Sequence, residues 1–503
     1  MTVATKSNPY QRSLELAEDG DYPEALARAQ EHLRTEPEDV QALNDAGAIL
    51  YCLGRPDEAI DHFVKARSLQ GGSAEILRNL VEAYLAVGRA NEVIQLFDDM
   101  EQMGILKTDI LNRIGNLLLD QDNKGGAIEI LQKSLQIAPE QKILEPMIEV
   151  IRSKMPKVAF FCGGDGEALN EITKFIKRRF EVHLFEKQTE KELYESMKSS
   201  DICWFEQCAN LAVTASKLPK VCKIIYRLQH HEAYKQWPKE INWANIDVLV
   251  CTGGSRTAPT GNSFFRDAFT QTAPELDEST SIVTVPNGVN LEKFAFTNRR
   301  RGKNIAFLGN LRMVTNPAFV LQCMQKLHYI DPEYRLFFGG QFEDAALEQY
   351  LRYIVDALGL RDVVFFDGGA EDVSCWLEDK HYIVSTGIIE GDGMGLLEGM
   401  ACGLKPVIHN FPGAQRAFPQ RFLFNISEEF CEQILSDNYE PQWYRRFVEE
   451  NYPLENQLIN INDIFTKLEP ESVTGESWSA SQSQARHLSV DAEHRIPVMS
   501  VQS

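Results

Sequence analysis

Thr386 to Ala414 reads TGIIEGDGMGLLEGMACGLKPVIHNFPGA, and the change of residue type along this stretch decides the fold around it. Just upstream, His381 to Ser385 (HYIVS) is a short β-branched and aromatic run, the mark of a buried strand, while Met394 to Ala401 (MGLLEGMA) has helical spacing. Gly391, Gly393 and Gly395 join the two. A strand that passes through a glycine turn into a helix is the repeating unit of a parallel α/β sheet. At such a junction the N–H groups of residues such as Gly393, Met394 and Gly395 lack internal partners and lie at the positive end of the helix dipole, which favours anionic oxygens. Glycine lets a ligand come close. Glu390 before the turn can accept from hydroxyl groups, Asp392 lies within the turn, and Glu398 approaches from the helix side. The layout suits a phosphate flanked by sugars, although a plain turn with Glu398 as a solvated helix residue has the same outline.

Working outward, VAFFC (158 to 162), EVHLF (181 to 185), DICWF (201 to 205), KIIYR (223 to 227), DVLVC (247 to 251) and SIVTV (281 to 285) alternate with helical segments. A second series follows: NIAFL (304 to 308), YRLFF (334 to 338), DVVFF (362 to 366), HYIVS and KPVIH (405 to 409). Two consecutive Rossmann-like halves joined by the charged NRRRGK (298 to 303) set the carboxyl ends of both sheets towards a cleft.

The first 140 residues have another texture. Gly20, Gly54 and Gly88 are 34 apart; Ala25, Ala59, Val93 and Ala127 keep that step, as do Ala29, Phe63, Phe97 and Leu131. Gly47 and Gly115 fill a further small position. This pattern resembles the tetratricopeptide repeat, with four units, the first lacking the small residue of its first helix, and a cap over Gln141 to Lys154. Such an array either grips a peptide or partner protein in a concave groove or simply solubilises and extends the rest.

The expected organisation is therefore α plus α/β: a tetratricopeptide solenoid over 1–155, a first Rossmann-like half over 156–298, a second over 299–468, and a Ser- and Gln-rich disordered tail over 469–503. A formal net charge of −22 argues against a nucleic-acid-binding surface. Ten cysteines without a C-x-x-C pair, most of them inside apolar runs, read as reduced thiols. The start MTVATKSNPYQ is not apolar and no run of ~18 apolar residues occurs, so no integral membrane segment and a cytoplasmic location are expected.

From Thr386 to Ala414, and over VPNGVNLEKF (285 to 294) and GLRDVVFFDGGAEDVSCWL (359 to 377), the chain resembles glycosyltransferase family 4, retaining enzymes of the GT-B fold. The resemblance covers about 156–469. It implies transfer of a sugar from a nucleotide-sugar to an acceptor hydroxyl with retention, the acceptor being a glycan, a lipid-linked glycan or a protein. It implies no cofactor beyond the donor and no metal. Glu390 would orient the transferred sugar and Glu398 the ribose; Gly309, Asn310, Arg312, Gly340, Asp392, Gly393, Met394 and Gly395 would line the donor side, with Gly163 and Gly164 (in CGGDGEALNE) on the acceptor side. His230, in YRLQHHEAY, would contact sugar or acceptor, against the ordinary alternative of a surface histidine. The pattern departs from the family where members carry G-R-L-x3-K: Asn310 and Thr315 stand at the two cationic positions, leaving Arg312 and the helix start near Gly393 to hold the diphosphate. A non-catalytic adaptor and an inverting protein O-glycosyltransferase are the rival readings.

Overall fold

The computed structural model describes residues 8–70, 73–163, 167–185, 189–228, 232, 235, 237–252, 280–388 and 393–469. The chain divides into two compact units, one built chiefly from Met1–Met155, the other from Pro156–Ile176 and Val182–Pro470.

The first unit is a stack of helical pairs. Pro9–Glu18 pairs with Tyr22–Thr35, Val40–Cys52 with Pro56–Leu69, and Thr108–Asp120 with Lys124–Ile137. In the third unit Ala74–Ala86 is followed by a second helix broken into Ala90–Ile94 and Phe97–Gln102, and Leu144–Ser153 caps the stack. The 34-residue step has a backbone cause. Gly20, Gly54 and Gly88 each follow the first helix of a unit at φ of 82°, 73° and 78°, and Asp122 takes the same left-handed place at 55° in the fourth. Packing explains the small positions: a Cβ on Gly47 would stand 2.6 Å from the Phe63 ring, and one on Gly115 2.7 Å from Leu131 Cδ2. The first unit is not deficient, as the sequence had suggested. Ser13 sits 34 residues before Gly47, buried at 1% exposure, with its hydroxyl donating to Ala25 O at 2.7 Å.

The second unit holds two six-stranded sheets. In the first, Lys157–Cys162 (β1), Glu181–Phe185 (β2), Ile202–Glu206 (β3), Lys223–Leu228 (β4), Val248–Cys251 (β5) and Ser281–Thr284 (β6) run in the order β2-β1-β3-β4-β5-β6. In the second, Asn304–Leu308 (β7), Arg335–Gly339 (β8), Val364–Gly368 (β9), Tyr382–Ser385 (β10), Lys405–His409 (β11) and Leu423–Phe424 (β12) run β12-β11-β10-β7-β8-β9. The ladders from β1 through β3 to β6 and throughout the second sheet are parallel. In each sheet the chain winds outward to one side and then returns to the other, so a topological switch point falls between β1 and β3 and between β7 and β10. Crevices for ligands open at the carboxyl ends of such points.

Sequence order and packing part company at the end of the chain. Leu454–Leu468 lies on the first sheet, where Phe465 stacks on Trp204 with centroids 5.7 Å apart and planes 2° from parallel. Its start is tied to the crossing segment between the halves: Val289 N donates to Tyr452 O at 2.8 Å, Leu454 N to Val289 O at 3.1 Å, and Gly288 N to Gln457 Oε1 at 3.0 Å. The tail expected to be disordered lies, from residue 470, outside the described residues.

Candidate functional site

The switch point of the second sheet gathers most of the donor-side residues. Gly309 leaves β7 at φ 134° and donates to Gly339 O at 2.9 Å. Gly340 lies so close beneath it that a Cβ there would be 2.1 Å from Gly309 O. On the other side, a Cβ on Gly395 would be 2.5 Å from Leu308 O. The glycines are thus contact points between the β7 loop, the β8 loop and the first turn of the Met394–Ala401 helix.

That helix begins at Gly393 in the left-handed conformation, φ 61°, with no side-chain cap among the described residues. Its first internal bond runs from Leu397 N to Gly393 O at 3.0 Å, which leaves the N–H groups of Met394, Gly395 and Leu396 as the turn a helix cannot satisfy itself. Leu396, Leu397, Gly399, Met400 and Ala401 are buried, whereas Met394, Gly395 and Glu398 are half-exposed. Glu398 therefore shares a face with the open turn, four residues after Met394.

The β7 loop is held from below. Thr386 is fully buried, and its hydroxyl donates to Thr315 O at 3.1 Å and Asn316 O at 2.8 Å. Ile388 N donates to Val314 O at 2.9 Å. Thr315 itself closes the turn: its Oγ1 accepts from Arg312 N at 3.1 Å and donates to Arg312 O at 3.0 Å. Asn316, at φ 50°, then starts the Pro317–Ile330 helix.

Arg312 has an acidic neighbour. The loops after β7 and β8 zip together through Leu311 N to Gln341 O at 2.8 Å and Glu343 N to Leu311 O at 3.3 Å, which brings Glu343 opposite Arg312. Arg312 Nε stands 2.8 Å from Glu343 Oε1 as an ion pair but off the line of a hydrogen bond. The same oxygen accepts from Asn310 Nδ2 at 3.0 Å, while Asn310 Oδ1 accepts from Gln341 N at 3.2 Å. Glu343 thus stands beside the cation that the resemblance places on the donor side. His409 also escaped that reading: at the end of β11 its Nδ1 is 3.3 Å from Gly387 O, beside the strand end that leads to Glu390. Thr386 was legible as a polar residue ending an apolar strand; Glu343 and His409 carried no signal.

In the first half, Gly163 is at the other switch point. Its N donates to Glu206 O at 3.0 Å, and a Cβ there would be 1.9 Å from Gln207 O. Glu206 and Arg227, each 1% exposed, form a buried pair at 2.9 Å. Trp204 Nε1 donates to Glu206 Oε2 at 3.1 Å, and Arg227 Nη2 donates to Asn287, which also accepts from Gln457 at 3.3 Å. Gly164, His230, Glu390 and Asp392 lie outside the described residues.

Two Rossmann-like halves with both switch points lined by glycine define a GT-B architecture. Residues 290–422 match the model "Glycosyl transferases group 1", and residues 10–74 match a tetratricopeptide repeat model, so the chain carries a glycosyl transferases group 1 domain and N-terminal tetratricopeptide repeats. Among solved structures, HepE of Anabaena in complex with UDP-glucose is 15% identical with a TM-score of 0.51, covering 62% of this chain and 100% of that one. HepE in complex with UDP and glucose is 14% identical with a TM-score of 0.50 and the same coverage. At that identity the likeness shows the fold. No curated protein sequence matches the chain.

Proposed function

We propose that the protein is a glycosyltransferase that moves a sugar from a nucleotide-sugar to an acceptor hydroxyl with retention of configuration. The observation that carries this reading is the convergence of Gly309, Gly340, Gly395 and the uncapped helix start at Gly393 on one switch point, with Glu398 on the same helix face. Such a place suits a diphosphate, whose oxygens accept from the open N–H groups, and a ribose whose hydroxyls donate to Glu398. That the similar fold of HepE is known with UDP and with UDP-glucose supports the donor class. Glu390 and Asp392 would stand at the sugar end, with Gly163, Gly164 and His230 on the acceptor side. The departing diphosphate would take the acceptor proton on the same face, so no protein nucleophile is required, and the helix start stabilises the charge that develops. The repeats would recruit a glycan, lipid-linked or protein acceptor or a partner protein, in the cytoplasm.

One observation favours a second reading. Because Glu343 occupies both Arg312 and Asn310, the donor loop offers less positive charge than a diphosphate calls for, as an adaptor with a degenerate transferase half would. The two readings separate by incubating the chain with a panel of nucleoside diphosphate sugars and following nucleotide release. The proposal expects release with at least one donor, a product of unchanged anomeric configuration by NMR, and loss of release in Glu390→Ala. Absence of release with every donor supports the adaptor.

A further inference from the structure

The second unit has a cavity of about 340 Å³ away from the nucleotide crevice. Its wall includes Lys405, Gln433, Phe422, Tyr444, Glu429 and Glu432. Lys405 opens β11, so the cavity is at the amino end of the sheet, about 13 Å of strand from His409 at the carboxyl end.

Two polar groups in the wall are incompletely used. Lys405 is 5% exposed, and its ammonium donates to Gln433 O at 2.6 Å with no second hydrogen bond among the described residues. An ammonium has three donors. Burial pulls its pKa down to about 8, as expected of a cation short of partners. Gln433 Nε2 donates to Leu423 O at 2.8 Å, but its Oε1 is buried with no partner among the described residues. Orphaned groups of this kind are rare in folded chains and call for an explanation.

The mixture of charges selects the ligand. Arg421, also in the wall, pairs with Glu440 at 2.8 Å and lies 4.0 Å over the Trp443 ring, and Glu429 accepts from Asn425 N at 2.6 Å. An anion entering would meet Glu429 and Glu432; a metal cation would meet Lys405 and Arg421. A neutral molecule whose adjacent hydroxyls accept from Lys405 and donate to Glu429 or Glu432 meets both signs of charge, with the edges of Phe422 and Tyr444 in the same wall. The volume holds about eleven waters, room enough for a sugar ring. We propose that this cavity is a second binding site, separate from the nucleotide crevice, for one ring of a neutral saccharide. The inference rests on the cavity alone and holds whether or not the carboxyl edge binds a nucleotide-sugar.

Calorimetric titration of the full chain with glucose, galactose, N-acetylglucosamine and sucrose, with inorganic phosphate alongside, tests it. At least one saccharide is expected to bind with one-to-one stoichiometry and at least about tenfold more weakly in Lys405→Met, the loss of a charge-assisted bond, with Glu398→Ala unchanged. Asn438→Trp, at the exposed rim, gives the same weakening without touching the buried lysine and decides the matter if Lys405→Met fails to fold. The proposal is overturned if no saccharide binds, if binding survives both cavity variants, if Glu398→Ala abolishes it, or if phosphate binds in its place.

Discussion

Replacing Gly395 by alanine probes the contact that sets the helix start against β7. The added Cβ would be 2.5 Å from Leu308 O and 2.9 Å from Leu308 Cγ, whereas carbon contacts are comfortable from about 3.5 Å, so the first helical turn must retreat by about 1 Å. Overpacking of this kind costs about 1–3 kcal/mol of stability. The retreat also carries the N–H groups of Met394, Gly395 and Leu396 away from any phosphate at the switch point. A charge-assisted bond is short, about 2.7–2.9 Å, and contributes about 1.5–3 kcal/mol, so losing one weakens nucleotide binding by about 10- to 100-fold. Gly115→Ala is the control, because its Cβ would be 2.7 Å from Leu131 Cδ2 inside the repeats and far in sequence from the crevice. The assay is calorimetric titration with nucleoside diphosphates, beside melting curves for both variants. Both should melt several degrees lower, but only Gly395→Ala should lose affinity. Wild-type affinity in a destabilised Gly395→Ala would refute the assignment of the phosphate to this helix start.

Other substitutions test the surrounding structure. Arg227→Met leaves the Glu206 carboxylate buried without its cation, which costs about 3–5 kcal/mol, and adding Glu206→Gln should restore much of the melting temperature. In the repeats, Asp122→Ala should destabilise by about 1–2 kcal/mol, since alanine pays the left-handed conformation at φ 55° in full, whereas Asp122→Gly should not; equal melting of the two would contradict a fourth repeat turn. Burial, with Glu75 and Asp39 nearby, raises the Asp45 carboxyl from its ordinary 3.8 to about 6, although Tyr10 donates to it at 2.5 Å. The folded state therefore takes up a proton before the unfolded state does, and this group adds stability as pH falls from 7 through 6 towards 4. Asp45→Asn should raise the melting temperature of the repeats at pH 7 and flatten that dependence; an unchanged slope between pH 7 and 5 would show that another group causes it.

The repeats and both sheets were legible because their signals are local and periodic. A glycine every 34 residues marks a left-handed turn, and an apolar run of five marks a buried parallel strand. Periodicity failed where one residue type stood in for another: Ser13 replaces a glycine by burying its hydroxyl on Ala25 O, and Asp122 replaces one by tolerating positive φ. β12, only Leu423–Phe424, is too short to show a pattern. The glycines and Glu398 of the crevice were readable from one strand-turn-helix segment. Their environment was not, because Glu343 reaches Arg312 only through the pairing of two loops, and Arg227 reaches Glu206 and Asn287, with Gln457 joining through Asn287, by tertiary packing across most of the second unit.

The most direct test of the central claim is a thermal-shift series with nucleoside diphosphates and their sugars, run on the wild type and on Glu398→Ala. One nucleotide is expected to raise the wild-type melting temperature in proportion to the logarithm of its concentration, and the shift should shrink or vanish in Glu398→Ala. No shift with any nucleotide, or an undiminished shift in Glu398→Ala, would contradict it.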